Sequence, residues 1–323
     1  MNDPRIDALM SAYDGDVPGA SVLVMREGRA IHRAGYGMAD LEAHTAVTPQ
    51  TNFRLASVSK QFTAAAIETL AGRGKLAYDD PITRFLPSLP SYAQAITVRQ
   101  LLTHSSGLLD YEDLIPPQTT EQVSDLDVLH MLEKTNHTLF APGTSYRYSN
   151  TGYVFLGLIV AKISGMSFPA FLKQEIFDPL GMHGTVAYVR GTSTVDHRAY
   201  GYTRANGAWL RRDQSVTSAT LGDGGIYSSI DDLAKWDDAI AHGRFIAADM
   251  STVATDDPKI RYGFGWRLSE HRGHRTVWHS GETTSFRNVI VRFPDQRLTV
   301  VILTNRDDPE PYQTALQIAD QFL

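Results

Sequence analysis

Apolar residues recur along the chain at helical and at alternating spacings, and the spacing changes where the elements change. Residues 3–13 carry Ile6, Leu9, Met10 and Tyr13 at the intervals of a short amphipathic helix. Two β-rich runs follow, Ala20–Arg26 and Arg29–Gly37, with Glu27-Gly28 placed as a hairpin turn. From Ser57 to Leu70 the period is helical again, with Phe62, Ala66 and Leu70 on one face and Gly72 and Gly74 ending it. The next stretch is broken by Pro and Gly and holds helical patches near 125–134, 151–163 and 168–176. Past about residue 215 the alternation returns. The pattern there predicts a short strand over 224–229, a helix capped by Asp231 to about 242, strands at 261–269, 275–281, 286–293 and 297–304, and a last helix from about 309. Asp295-Gln296 suits the hairpin turn between the last two strands.

Strands at both ends of the chain around a helical middle predict an α+β fold. One antiparallel β-sheet is assembled from both termini and flanked by the N- and C-terminal helices. Residues 1–70 and 215–323 are expected to form that lobe, and 71–214 an inserted, mostly helical one, with a site in the cleft between them.

Composition narrows the function classes. With 323 residues, 42% hydrophobic and 20% charged, the chain is long and apolar enough for a substantial core. Its 30 basic and 36 acidic residues give a net charge of −6, spread in short pairs such as Asp79-Asp80 and Asp307-Asp308. There is no basic stripe, so nucleic acid is not an expected partner. The lack of cysteine removes disulfides, thiolate metal sites and a cysteine nucleophile. No run approaches the roughly 18 apolar residues of a membrane span. The polar N-terminus as written has no signal peptide, which predicts a cytoplasmic protein, or a periplasmic or secreted one if a signal is removed. The pattern does not indicate an oligomeric state.

Three short motifs can carry chemistry. In Ser57-Val58-Ser59-Lys60, Ser57 stands where a helix N-cap belongs, yet Lys60 occupies the place a capping box gives to Glu or Gln, and a cation there opposes the helix dipole. One helical turn puts the amine beside the Ser57 hydroxyl, and dipole and burial together lower its pKa, so that a neutral lysine can take the proton. Alone, the motif reads more readily as a serine cap followed by a solvated lysine. Ser59 is a rival nucleophile, but Phe62 holds the position where its base would stand.

Tyr148-Ser149-Asn150, the only Y-x-N, precedes a run over 151–161 that is apolar on almost every face and is expected to be a buried helix. The phenol can share in proton transfer, and the Asn150 amide can anchor the lysine and hold a substrate carbonyl. A satisfied tyrosine beside a helix-capping asparagine explains the same residues. H-x-G occurs twice. His271-Arg272-Gly273 lies in a charged hairpin tip, whereas His279-Ser280-Gly281 ends a strand. There the glycine lets a substrate backbone approach, and His279 donates a hydrogen bond or, protonated, attracts a carboxylate; a strand histidine with an ordinary partner is the alternative. G-x-S-x-G and H-E-x-x-H are absent, and His271 and His274 have no third ligand nearby, so neither a metal nor a cofactor is expected.

In this order, S-x-x-K, Y-x-N and H-x-G resemble the signature boxes of the serine β-lactamase and penicillin-binding protein superfamily, in its class C-like branch. The likeness continues through residues 101–108, Pro142-Gly143-Thr144, residues 223–229 and Phe286-Arg287-Asn288. It implies an antiparallel sheet with flanking helices and a helical lobe. It also implies acyl transfer to Ser57, with Lys60 and Tyr148 managing protons, and Asn150, His279, Ser280 and Gly281 orienting a small-molecule or peptide substrate. The oxyanion would be held by the backbone N–H groups of Ser57 and Glu282. Histidine at the start of the third box is similar to D-alanyl-D-alanine peptidases, D-aminopeptidases and esterases of the family. That makes an ester or amide hydrolase with weak β-lactam turnover the expectation. A true class C-like β-lactamase and a non-catalytic binder of peptides or cell-wall fragments are the alternatives. Ser285 and Glu282 depart from the glycine and small residue often found there. Residues 109–124 are expected to loop over the cleft, with Tyr111 as a contact.

Overall fold

Uninterrupted apolar runs such as that over 300–303 require a strand covered on both faces, and the computed structural model, which describes residues 3–245 and 252–323, supplies that cover. Among the described residues one antiparallel sheet has eight strands. Their order is Val253–Ala254, Arg261–Gly263, Trp266–His271, His274–Thr283, Phe286–Phe293, Leu298–Thr304, Ala20–Arg26 and Arg29–Tyr36. The first and last parts of the chain meet inside it, with Ala20 opposite Thr304 and Val24 opposite Val300.

Alternation assigns each residue to a layer. Leu23, Ile290, Val301 and Leu303 face the helices Lys60–Gly72 and Ile230–Ala241. Val22, Val24, Val289, Val291, Val300 and Ile302 face the terminal helices Pro4–Leu9 and Tyr312–Ala319. Each of these side chains is fully buried, an effect worth about 1.5–3 kcal/mol apiece, and a slip of one residue would exchange the two sets. The first apolar cluster continues without a break into the middle of the chain, through Leu101, Val128, Phe155 and Leu156. Buried Asn305 clasps the ends together: its Oδ1 accepts the Gly19 N–H (2.7 Å), and its Nδ2 donates to the carbonyls of Met38 (3.1 Å) and Tyr200 (2.8 Å).

Several boundaries differ from the sequence pattern. Ser57 is not a helix N-cap: it lies in a 3-10 turn, Ala56–Ser59, and the α-helix starts at Lys60 with no side-chain cap. Ser229, rather than Asp231, caps the Ile230–Ala241 helix by accepting the Asp232 N–H (3.2 Å), while Asp231 reaches out to Arg33 and Gln50. The expected run over 261–269 is two strands, because Phe264 and Gly265 turn with φ of +53° and +82°. A Cβ at Gly265 would lie 2.8 Å from the Gln61 N, so the chain must turn where it meets the Lys60 helix. The N-terminal helix stops at Leu9 and is followed by a 3-10 turn, and the last helix begins only at Tyr312. A short hairpin, Tyr202–Ala205 with Ala208–Arg211, lies where no strands were expected. No single described helix is long and apolar enough to cross a membrane.

Candidate active site

The turn that carries Ser57 is held from three directions. Phe53–Arg54 pairs with Ile226–Ser228, and the Leu55 N–H donates to the Ile226 carbonyl (2.8 Å). The Asn288 side chain donates to the Arg54 carbonyl (2.8 Å) from the large sheet. The His274–Thr283 strand runs so close beneath that a Cβ on Gly281 would lie 2.0 Å from the Leu55 carbonyl oxygen. Between these supports Ala56 is forced to φ +50°, a left-handed conformation that costs a non-glycine residue about 1–3 kcal/mol. Half-buried Ser57 follows it at the surface of a cleft lined also by Glu112, Asn150, Asp223 and Glu282.

Lys60 is fully buried, and its Nζ donates to Ser57 Oγ (3.0 Å), Asn150 Oδ1 (2.8 Å) and the Asp223 carbonyl (2.7 Å). An ammonium has three protons, and each has one acceptor here. When the amine is neutral, Asn150 and Asp223 still take its two protons and the lone pair faces the Ser57 hydroxyl. Nζ also lies 4.9 Å from the centre of the Tyr148 ring and 5.6 Å from that of Tyr153. The Asp223 carbonyl is delivered by Gly222, where a Cβ would lie 2.2 Å from the Tyr153 carbonyl and whose own carbonyl accepts from Thr63 Oγ1 (2.6 Å). Asn150 is fixed in turn: its N–H donates to Asp110 Oδ2 (2.7 Å) and its Nδ2 to Glu112 Oε1 (2.9 Å), which leaves Oδ1 for the lysine. Ser59 is fully buried and accepts the Ile226 N–H (3.2 Å), a structural task.

The third motif is arranged otherwise than expected. His279 is 1% exposed. Its Nδ1–H donates to the Ser280 carbonyl (2.6 Å), which leaves Nε2 to accept from the Tyr262 hydroxyl (3.0 Å). Burial first, then the nearby Arg267 and Lys60 charges, hold its pKa well below the usual imidazole range. The ring is therefore neutral, with both nitrogens engaged inside the protein, which does not favour the alternative of a protonated His279 attracting a carboxylate. Gly281 also permits the close contact with Leu55. The cation on this flank is Arg267, whose guanidinium lies 5.6 Å from the Tyr148 ring centre and 5.4 Å from that of Trp278.

Ser280 is half-buried, and the Glu282 carboxylate is turned to Arg287 (2.9 Å) with its side chain 70% exposed. Ser285 has φ +59°, which explains why glycine suits that position elsewhere; here its N–H donates to Asp307 Oδ1 (2.7 Å). Tyr111 lines the same cleft although it is fully buried, and its hydroxyl donates to Asp223 Oδ2 (3.0 Å), which supports the Asp223 segment. Its neighbour Glu112 lines the cleft as well. Partial withdrawal from water, then the charges of Asp110 and Asp223, raise the Glu112 pKa. A larger cavity, about 660 Å³, opens between the end of the Ile230–Ala241 helix and the sheet beside Asp237 and Arg292, and contains none of these groups.

Sequence reasoning missed His104, which packs its ring 4.2 Å from Tyr148 and 4.4 Å from Tyr262, centre to centre. Burial above all, then the Lys60 and His279 side chains, lower its pKa well below 6.5. Because His104 and His279 are neutral in the fold and titrate near 6.5 when unfolded, the native state binds fewer protons below that pH. Stability is thus full above it and is lost as the pH falls. At about pH 5.5 the two histidines should add about two protons to the uptake on unfolding. Urea unfolding at about pH 7.5 and 5.5 checks this: the midpoint should fall, and an unchanged one would contradict it.

A protein-family profile described as Beta-lactamase matches residues 5–322. The chain is 33% identical to "Penicillin-binding protein 4*" of Bacillus subtilis over 94% of its own length and 71% of that protein. It is 30% identical to a D-aminopeptidase of Brucella anthropi over 89% of its own length, and spans 56% of that relative. Among solved structures, the octameric penicillin-binding protein homologue from Pyrococcus abyssi superposes with a TM-score of 0.83 at 25% identity, covering 99% of this chain and 77% of that one. The D-amino acid amidase from Ochrobactrum anthropi SV3 complexed with D-phenylalanine shares the fold, with a TM-score of 0.83 at 24% identity and 99% of both chains covered.

Proposed function

The chain belongs to the Beta-lactamase family, and from that premise we propose that it is a serine amidase or peptidase whose substrates carry a free amino group beside the scissile carbonyl. The observation that supports acyl transfer is the threefold engagement of Lys60 Nζ by Ser57, Asn150 and Asp223. Ser57 Oγ attacks the carbonyl carbon while its proton passes to the Lys60–Tyr148 pair, with the oxyanion held by the N–H groups of Ser57 and Glu282. Collapse breaks the C–N bond, and the amine leaves with that proton. Water then repeats the sequence on the Ser57 ester and regenerates the hydroxyl. Asn150 and Ser280 orient the substrate.

The substrate class rests on Glu112. It borders the cleft with Asp223, and both are joined to the lysine through Asn150 or a main-chain carbonyl, so the cleft favours a cationic group near Ser57. The names of the relatives, a D-aminopeptidase and a D-amino acid amidase, agree with an ammonium in that place. Steady-state kinetics on D- and L-phenylalanine amide, p-nitrophenyl acetate and nitrocefin test the reading. The D-amide should be preferred to the L-amide and to nitrocefin. Glu112→Gln, which can still accept from Asn150, should raise KM for the D-amide about tenfold and leave p-nitrophenyl acetate unchanged. A preference for nitrocefin, or equal effects of the variant on both substrates, would overturn it. A second reading, a peptidase needing the substrate's C-terminal carboxylate, is favoured by the Arg267 guanidinium beside Tyr148. It requires Arg267→Ala to impair D-alanyl-D-alanine peptides far more than amides.

A further inference from the structure

We infer that His104 is a positioning residue for Tyr148, and that it acts by accepting the Ser149 N–H on its imidazole. The segment that carries the phenol is tied on both sides to this one residue. The Arg147 N–H donates to the His104 carbonyl (2.9 Å), and the Ser149 N–H donates to His104 Nδ1 (3.2 Å). The imidazole also lies against the Tyr148 ring, 4.2 Å between centres and tilted by 40°. Tyr148 is thus gripped before it, behind it and across its face.

Two features show that packing is not the reason for a histidine here. Nδ1 must be unprotonated to accept, so the ring proton is on Nε2, and Nε2 is buried with no hydrogen-bond partner. A phenylalanine would fill the same space without orphaning a donor; the Nδ1 bond is what histidine supplies. The backbone of His104 is also held at φ +55°, a conformation that turns its carbonyl and its ring toward the same segment and that non-glycine residues rarely keep. Burial and the positive charge of Lys60 favour the neutral ring, in which Nδ1 stays free to accept. Through Tyr262, whose ring is 4.4 Å away and whose hydroxyl bonds His279, the same residue joins the tyrosine segment to the His274–Thr283 strand.

The inference rests on the proposed role of Tyr148 in proton transfer, so Tyr148→Phe is assayed in parallel, on p-nitrophenyl acetate and D-phenylalanine amide. His104→Phe keeps a ring and removes the acceptor; His104→Asn keeps an acceptor and tolerates the left-handed backbone. His104→Phe should lower kcat by about tenfold to a hundredfold with KM changed less than about threefold, and His104→Asn should recover most of the loss. Wild-type kcat in His104→Phe, or no recovery in His104→Asn, overturns the inference. If Tyr148→Phe itself is fully active, the reading of the reaction fails instead. Should His104→Phe not fold, hydrogen exchange at the Ser149 amide decides: protection in the wild type and in His104→Asn is expected, and free exchange in the wild type overturns the inference.

Discussion

Mixed with an activated ester or a penicillin and weighed intact, the wild-type protein should gain the mass of one acyl group, and Ser57→Ala should gain none. Turnover of any substrate should fall by about 10⁴-fold or more in the variant, the range seen when a nucleophile that works as part of a unit is removed. The loss has no obvious bypass. Ser59, two residues on, is fully buried and accepts the Ile226 N–H. Ser280 stands on the strand opposite, whereas the three acceptors of Lys60 Nζ are Ser57, Asn150 and the Asp223 carbonyl. Lys60→Met should be nearly as damaging and not additive with Ser57→Ala, because each alone breaks the same proton path. An adduct on Ser57→Ala would place the nucleophile elsewhere and remove the proposed reaction.

Gly281→Ala should be the most damaging substitution that touches no polar group of the site. Its methyl would sit 2.0 Å from the Leu55 carbonyl oxygen, and ordinary contact needs more than 3 Å, so strand and turn must part by about 1 Å. That displacement falls two residues before Ser57, and misplacement of this size costs about a hundredfold in rate. Overpacking should also lower stability by about 1–3 kcal/mol, seen as a fall in Tm of several degrees. Gly72→Ala is the control: a Cβ there meets nothing within 4 Å, and the position is helical, so stability should rise slightly or stay level. Wild-type kcat in Gly281→Ala would mean that the strand does not fix the turn.

How much of this was readable in advance follows from the range of each interaction. Ser57 and Lys60 are one turn apart, so their meeting is a local property of the chain, whereas Asn150 reaches Lys60 across 90 residues and was legible only as a motif. The sheet was legible because strands buried on two faces leave short apolar runs rich in β-branched residues, as in 289–291 and 300–303. The engagement of the His279 ring was not legible because its partner Tyr262 stands on a strand two places away in the sheet. The lysine's third acceptor is a main-chain carbonyl, which has no side-chain signature. His104 left only a faint trace, a histidine within a stretch of the family resemblance. The Ser57 error has another origin: serine favours the starts of 3-10 turns and α-helices alike, and only the left-handed Ala56 separates them. The hairpin at 202–211 did carry a signal, Asn206-Gly207, whose φ values of +51° and +81° suit a tight turn between strands.

The clasp at Asn305 and the pairing of Ala20–Arg26 with Leu298–Thr304 have a consequence for synthesis on the ribosome. Ser57 and Lys60 emerge early, but the strand beneath their turn and the asparagine that grips Arg54 are made more than 200 residues later. On the proposed reaction the nucleophile is translated long before it is armed, and a nascent chain should remain inert toward acyl donors until those strands have docked.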